Sequence, residues 1–227
     1  MKRLIKIIND EPNTHFAPPI NPYHLYEETL FDDNVAKNLK DIILSKEKLI
    51  INSYKDDYNK LNKNNGWIDG STGLGKTSLT SRSPFYNLLK WKEFVFLKDN
   101  INNVHKNFCK SLNIEPTSVY IQAWANVMRD NEKINTHHHQ TNSNTYLGGH
   151  ICVLTNNTNT NYVNPFTKEE YSSKNEIGKI TMFPNWVDHY TDKVKNDLRI
   201  TIAFDMMTEK GFNEDVSNDT KNHWIKL

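Results

Sequence analysis

From Ser118 onward the chain changes its hydrophobic period from that of a helix to that of a strand. In Val119-Tyr120-Ile121-Gln122-Ala123-Trp124-Ala125-Asn126-Val127, one face carries Val, Ile, Ala, Ala and Val, and the other Tyr, Gln, Trp and Asn. That is the alternation of a half-buried strand. Residues 146–154, 177–183 and 198–206 read as strands as well, separated by polar connections at 129–136, 155–176 and 190–197.

Upstream the period is helical. Asp32 or Asp33 is placed to cap a helix running to about Leu49, with Val35, Leu39, Ile42 and Leu49 on one face. A second helix, starting near Phe85 or Trp91 and ending at Leu112, repeats Phe94, Leu97, Ile101, Val104, Phe108 and Leu112 at intervals of three and four. Residues 3–8 suit an edge strand, 11–26 with its prolines an extended loop, and 55–70 a polar, turn-rich stretch. Helices followed by strands predict an α+β, mainly β fold, with the N-terminal helices packed on one sheet. The last strand offers them Leu198, Ile200, Ile202 and Phe204. Its other face carries Arg199, Thr201, Ala203 and Asp205, small or polar, with room for a ligand.

Charge and cysteine narrow the function. A net charge of +1 with both signs interspersed gives no footprint for nucleic acid or an anionic membrane. No run approaches the roughly 20 apolar residues of a membrane span, and the N-terminal apolar run is too short for a signal peptide. Cys109 and Cys152 are far apart and lack motif spacing, which predicts a reduced, cytoplasmic protein.

Gly70-Ser71-Thr72-Gly73-Leu74-Gly75-Lys76-Thr77 matches the phosphate-loop pattern, yet no buried strand precedes it and Pro84 breaks the polar stretch after it. That pattern works only when strand and helix aim backbone N–H groups at the phosphates. A glycine-rich surface turn, or a loop over the mouth of the barrel, is the expectation.

The chemistry concentrates in Thr136-His137-His138-His139-Gln140 and in Phe183-Pro184-Asn185-Trp186-Val187-Asp188-His189, with Arg199 ten residues beyond. In an extended chain His137 and His139 share a side and His138 points away. Together with His189 they offer the facial, three-point ligation of non-haem Fe(II), although Zn²⁺ would take the same nitrogens. Arg199, with Thr201 two residues on, offers a carboxylate clamp beside the metal.

These stretches, with Thr72-Gly73-Leu74-Gly75, Ser78-Leu79-Thr80-Ser81-Arg82, Trp124-Ala125-Asn126-Val127-Met128 and Gly178-Lys179-Ile180-Thr181-Met182-Phe183-Pro184, carry a resemblance. From about Gly70 to Phe204 the chain resembles the 2-oxoglutarate/Fe(II) oxygenases of the prolyl-hydroxylase-like, double-stranded β-helix type. It is most similar to a group common in bacteria and marine phages. The resemblance implies a jelly-roll, cupin-like barrel and a single oxygenase domain over 1–227. Within it, 1–117 would form a helical flank with the glycine-rich loop, 118–207 the β-helix core and 208–227 a tail.

It further implies Fe(II) at His137, His139 and His189, and 2-oxoglutarate held at its far carboxylate by Arg199 and Thr201. O₂ and an unknown primary substrate would be the other partners, and the location the cytoplasm, a host's if the protein is viral. Most of the superfamily has His-x-Asp or His-x-Glu at the first motif. Here His139 either fills the carboxylate slot as a neutral ligand or points away, leaving an open site or one that uses Asp188 or Glu132. Asn126 and Tyr146 are candidates for 2-oxoglutarate contacts, Trp124 and His150 for the substrate side, and 155–176 for a lid. The implied activity is hydroxylation of a C–H bond with release of succinate and CO₂. A three-histidine cupin dioxygenase without 2-oxoglutarate, and a non-enzymatic metal-binding jelly roll, stand as alternatives.

Overall fold

The computed structural model describes residues 1–7, 23–65, 72–139, 145–164, 167–216 and 218–227. Its strands are β1 (Lys2–Ile7), β2 (Tyr23–Thr29), β3 (Val119–Met128), β4 (Thr145–Leu154), β5 (Asn159–Val163), β6 (Glu170–Lys174), β7 (Lys179–Pro184), β8 (Asp188–Thr191), β9 (Arg199–Thr208) and β10 (Ile225–Lys226). Among the described residues these form two antiparallel sheets. The larger runs β1-β2-β7-β4-β9-β3-β10 and the smaller β6-β5-β8. This is the mainly β, double-stranded β-helix architecture expected.

Helix α1 (Asp33–Ser53) starts where the sequence indicates. The Asp32 carboxylate accepts from the backbone N–H of Asn34 at 3.0 Å and of Val35 at 3.1 Å, satisfying two donors that the first turn leaves free. Helix α2 (Lys55–Asn65) comes next, and helix α3 (Val95–Ser111) follows a series of 3₁₀ turns between Thr80 and Phe94. Leu39 and Ile43 of α1 and Leu97, Ile101 and Phe108 of α3 pack into one core with Ile121, Ile151, Ile200, Ile202 and Phe204 of the larger sheet. Both α1 and α3 therefore cover a single sheet face, and the opposite face is left for the cavity.

Four segments depart from expectation. The stretch 55–70 contains α2, mostly polar but with Tyr58 buried, and residues 66–70 lie outside the described set. The expected loop at 11–26 ends in β2; residues 11–22 are outside the described set. The connection 155–176 is no lid, because it builds β5 and β6 and buries Tyr162 completely; Pro165 and Phe166 lie outside the described residues. Finally, the run 190–197 begins inside β8. The mostly polar α2, β5 and β6 carry too little apolar alternation to announce themselves, and the prolines before β2 mask its start.

The segment after β9 is also ordered. Helices α4 (Glu209–Asp215) and α5 (Asn218–Lys221) lead to β10, which pairs with β3, and Phe212 stacks on Tyr120 at 3.7 Å between ring centroids.

Candidate metal and anion site

Three imidazoles meet where the two sheets approach. His189 lies on β8, and His137 exchanges both backbone hydrogen bonds with it, at 3.1 and 2.9 Å. Two residues on, the N–H of His139 donates to the carbonyl of Asn185 at 2.9 Å. The segment 131–139 thus runs antiparallel to 185–194. His137 and His139 project to the same side, as their spacing predicts, while His138 turns out to Asp188 at 3.0 Å.

Each inward ring uses its Nδ1 on an acceptor. His137 Nδ1 donates to the Asn135 carbonyl at 2.8 Å, His189 Nδ1 to the Val187 carbonyl at 3.0 Å, and His139 Nδ1 to a carboxylate oxygen of Asp205 at 2.5 Å. A carbonyl oxygen only accepts, so the proton of His137 and of His189 is fixed on Nδ1, and Nε2 presents a lone pair. The Nε2 atoms of His137 and His139 lie 3.1 Å apart, and one nitrogen of each of the three rings falls within 4.8 Å of the others. Two nitrogens on adjacent corners of a metal, each bonded at roughly 2.1 Å, stand about 3 Å apart. The donor set therefore fits a divalent transition metal.

Burial, and then the neighbouring His139, pull the pKa of His137 down to about 4. Burial and the other two rings hold His189 well below its ordinary value. Burial also opposes the charged form of His139, but the charge and hydrogen bond of Asp205 outweigh it and raise that ring. For His137 and His189 the shift therefore favours the neutral form that metal ligation requires.

The anion half lies in the same cavity, of about 710 Å³. Arg199 opens β9 and is only 1 % exposed. Its guanidinium donates to the Thr160 hydroxyl at 3.1 Å and touches the Met128 sulfur at 3.9 Å, and among the described residues its Nε has no partner. Among the described residues no carboxylate lies within ion-pair distance of it. Burial lowers its pKa, as expected of a charge removed from water. Thr201 lies on the same strand face. Its hydroxyl accepts from Asn126 Nδ2 at 3.4 Å, and Asn126 Oδ1 accepts from the Thr80 hydroxyl at 2.6 Å. His150 Nε2 lies 3.4 Å from the Thr160 hydroxyl, and the Trp124 ring is 5.9 Å from that of His139.

The structure thus brings His137, His139, His189, Arg199, Thr201, Asn126, Trp124 and His150 to one cavity. Tyr146 is not among its walls, which corrects the expected contact with 2-oxoglutarate. Its hydroxyl lies 3.1 Å from His105 Nε2 and 3.8 Å from Cys109 Sγ, both on α3. A register shift between Thr145 and Leu147 breaks the parity that would put Tyr146 on the face of His150. Asp188 faces His138 outside the cluster, and neither it nor Glu132 joins the imidazoles.

Two residues at the site carry more than their sequence context indicates. Thr160 sits in a stretch that reads as a polar connection. Asp205 is visible in the sequence only as one more polar residue at even spacing from Arg199. Of the phosphate-loop lookalike, Gly70 and Ser71 are outside the described residues. From Thr72 the chain runs in turns and then a 3₁₀ helix, without the α-helix a phosphate site needs. It lies at the cavity instead, where Thr72, Thr80 and Ser81 contribute to the wall.

No model of a known protein family and no curated protein matches the sequence. Solved structures do match the fold. A prolyl-4-hydroxylase from Pseudomonas putida superposes with a TM-score of 0.53 at 5 % identity, covering 82 % of this chain and 92 % of that one. A viral collagen prolyl hydroxylase from Paramecium bursaria Chlorella virus 1, solved with 2-oxoglutarate, gives 0.52 at 10 % identity over 81 % and 96 %. A 2-oxoglutarate-Fe(II) oxygenase family protein from Burkholderia pseudomallei is spanned over 57 % of its length, and 51 % of this chain, with a TM-score of 0.43 at 12 % identity. In fold, this chain is a double-stranded β-helix protein of the kind seen in the prolyl hydroxylases.

Proposed function

We propose that the protein is an Fe(II)- and 2-oxoglutarate-dependent dioxygenase that hydroxylates a C–H bond of its substrate. The observation that carries this reading is one cavity holding both three converging imidazoles and a buried guanidinium with no carboxylate of its own among the described residues. A fully buried arginine without a counter-charge is costly to maintain. A dianionic co-substrate would complete it through a bidentate pair. The fold match to prolyl hydroxylases, one of them solved with 2-oxoglutarate, supports the same reading.

In this reading His137, His139 and His189 hold the metal, and their Nδ1 partners keep each ring in the ligating tautomer. Arg199 binds the far carboxylate of 2-oxoglutarate, and Thr160 orients the guanidinium. Thr201 and Asn126 form the polar wall, and Trp124 covers the ring of His139 on the substrate side. With O₂, Fe(II) and 2-oxoglutarate bound there would supply oxidative decarboxylation to succinate and CO₂ coupled to hydroxylation. The residues of the chain contribute orientation and a cavity screened from water.

The test is an anaerobic titration of metal-free protein with Fe(II) and then 2-oxoglutarate, followed by the visible charge-transfer band of the ketoacid complex. The band should form, fail to form in Arg199→Ala, and bleach with release of succinate when O₂ is admitted. Iron binding without a band would favour the three-histidine dioxygenase instead. A tight zinc complex that no ketoacid perturbs would point to a non-enzymatic metal-binding protein.

A further inference from the structure

The three inward imidazoles are not equivalent in what stands behind them. His137 and His189 each donate Nδ1–H to a neutral backbone carbonyl, but His139 donates to a carboxylate, Asp205, at 2.5 Å. Asp205 occupies a fixed place in the larger sheet, opposite Gln122 of β3 on one side and Gly148 of β4 on the other. The glycine matters for the room it leaves. A Cβ at Gly148 would fall 2.1 Å from Asn185 Oδ1 and 3.4 Å from the same Asp205 oxygen that His139 uses. The Asn185 backbone carbonyl in turn accepts the N–H of His139. Ring, backbone and carboxylate are therefore located together by β4, β9 and the turn before β8.

We propose that Asp205 is a positioning residue which supplies, through the ring of His139, the negative charge that a directly coordinating Asp or Glu would bring to the metal. The inference rests on the metal-binding reading above and deepens it. A carboxylate behind a ligating histidine fixes its tautomer and orientation and makes its free nitrogen a stronger donor. At a site of three neutral ligands, that is the route by which the protein returns an anion to the metal without giving up the His-x-His motif. The pair His138–Asp188 provides an internal control. It is of the same chemical type, at 3.0 Å, but faces solvent and touches no ligand of the cluster.

The experiment is anaerobic Fe(II) titration of the full chain and its variants, with folding checked by near-UV circular dichroism. Asp205→Asn should weaken Fe(II) binding roughly 10- to 100-fold, whereas Asp188→Asn leaves it at the wild-type value. The deciding measurement is the same change made in a His139→Asp background. There the metal already has a carboxylate of its own and no ring stands between Asp205 and the metal to be made a stronger donor, so removing the Asp205 charge should weaken binding much less than in the wild type. A purely structural Asp205 would weaken binding by the same factor in both backgrounds, and that result overturns the proposal. So does wild-type affinity in Asp205→Asn. Should Asp205→Asn fail to fold, the matched pair Asp205→Glu and Asp205→Gln replaces it: tighter binding by the Glu variant sustains the proposal, and equal binding overturns it. If the wild type itself takes up no Fe(II), the metal-site reading falls and takes this inference with it. If the wild type binds Fe(II) and only the Asp205 comparisons fail, that reading survives alone.

Discussion

Arg199 can be turned into a quantitative test of how the anion site is built. Its guanidinium is 1 % exposed, and among the described residues its Nε has no partner and its polar contacts are one hydroxyl at 3.1 Å and one thioether at 3.9 Å. Without an anion, the fold thus carries a buried charge that is poorly compensated. Replacing Arg199 with Met keeps an unbranched chain of similar reach and removes the charge. Exchanging buried ionic groups for apolar ones of similar volume typically stabilises by about 1–4 kcal/mol. For a chain of this size that is a rise in Tm of roughly 2 to 16 °C. The ligand response should go the other way. At 2-oxoglutarate one hundred times above its Kd, the wild type should gain about 2.7 kcal/mol and the variant nothing. Differential scanning fluorimetry under anaerobic Fe(II), with and without 2-oxoglutarate, reads both effects. The wild type should melt below Arg199→Met when free of co-substrate and close the gap, or overtake it, when loaded. If the ligand-free variant melts below the ligand-free wild type, the guanidinium is already satisfied by the protein and the reasoning fails.

Other parts of the structure yield three further expected outcomes. A Cβ at Gly149 would sit 2.4 Å from Phe204 Cζ and 2.5 Å from the Thr181 carbonyl oxygen. Because the second is backbone and cannot swing aside, Gly149→Ala should destabilise by about 1–3 kcal/mol in chemical denaturation. Burial first, and then the charges of Arg199 and Lys179, lower the pKa of His150 to about 3. The unfolded chain takes up a proton near pH 6.5 that the folded one refuses, so this contribution to stability is complete above about 6.5 and is lost as pH falls toward 3. Plotted as wild type minus His150→Gln, unfolding free energy should fall by up to about 1.4 kcal/mol per pH unit across that window, and a flat difference would refute it. Asp32→Ala removes two capping bonds from α1 and should cost about 1 kcal/mol, read from the urea midpoint at constant m-value.

Legibility in the sequence tracks how far each feature announces itself locally. Helices α1 and α3 and strands β3, β4, β7 and β9 carry long apolar periods, and they are readable together with the face each presents. Strand β5, Asn-Thr-Asn-Tyr-Val, and β6, Glu-Tyr-Ser-Ser-Lys, are mostly polar, and so they pass for a connection. The His-x-His pair is legible because even spacing holds wherever a chain is extended, even at a single bridge outside a regular strand. The same parity misplaces Tyr146, since one bulged residue reverses every inference drawn across it. Asp205 illustrates the remaining gap. It stands an even number of residues from Arg199, so its face is readable, but its partner His139 is 66 positions away and only the fold brings the two together.

The run of hydrogen bonds from Asn131 to His139 along β8 has a consequence for the chain outside its chemistry. In the smaller sheet, among the described residues, β8 is paired with β5 on one side only. Its other edge is taken by this irregular segment, through Val194 to Glu132, Thr191 to Ile134, the reciprocal pair of His137 with His189, and His139 to Asn185. An uncovered strand edge is a template for a neighbouring molecule. The segment that bears two of the three imidazoles is thus also the guard on that edge. A change that loosens 131–139 from β8 would open a row of backbone groups to self-association as well as scatter the imidazoles.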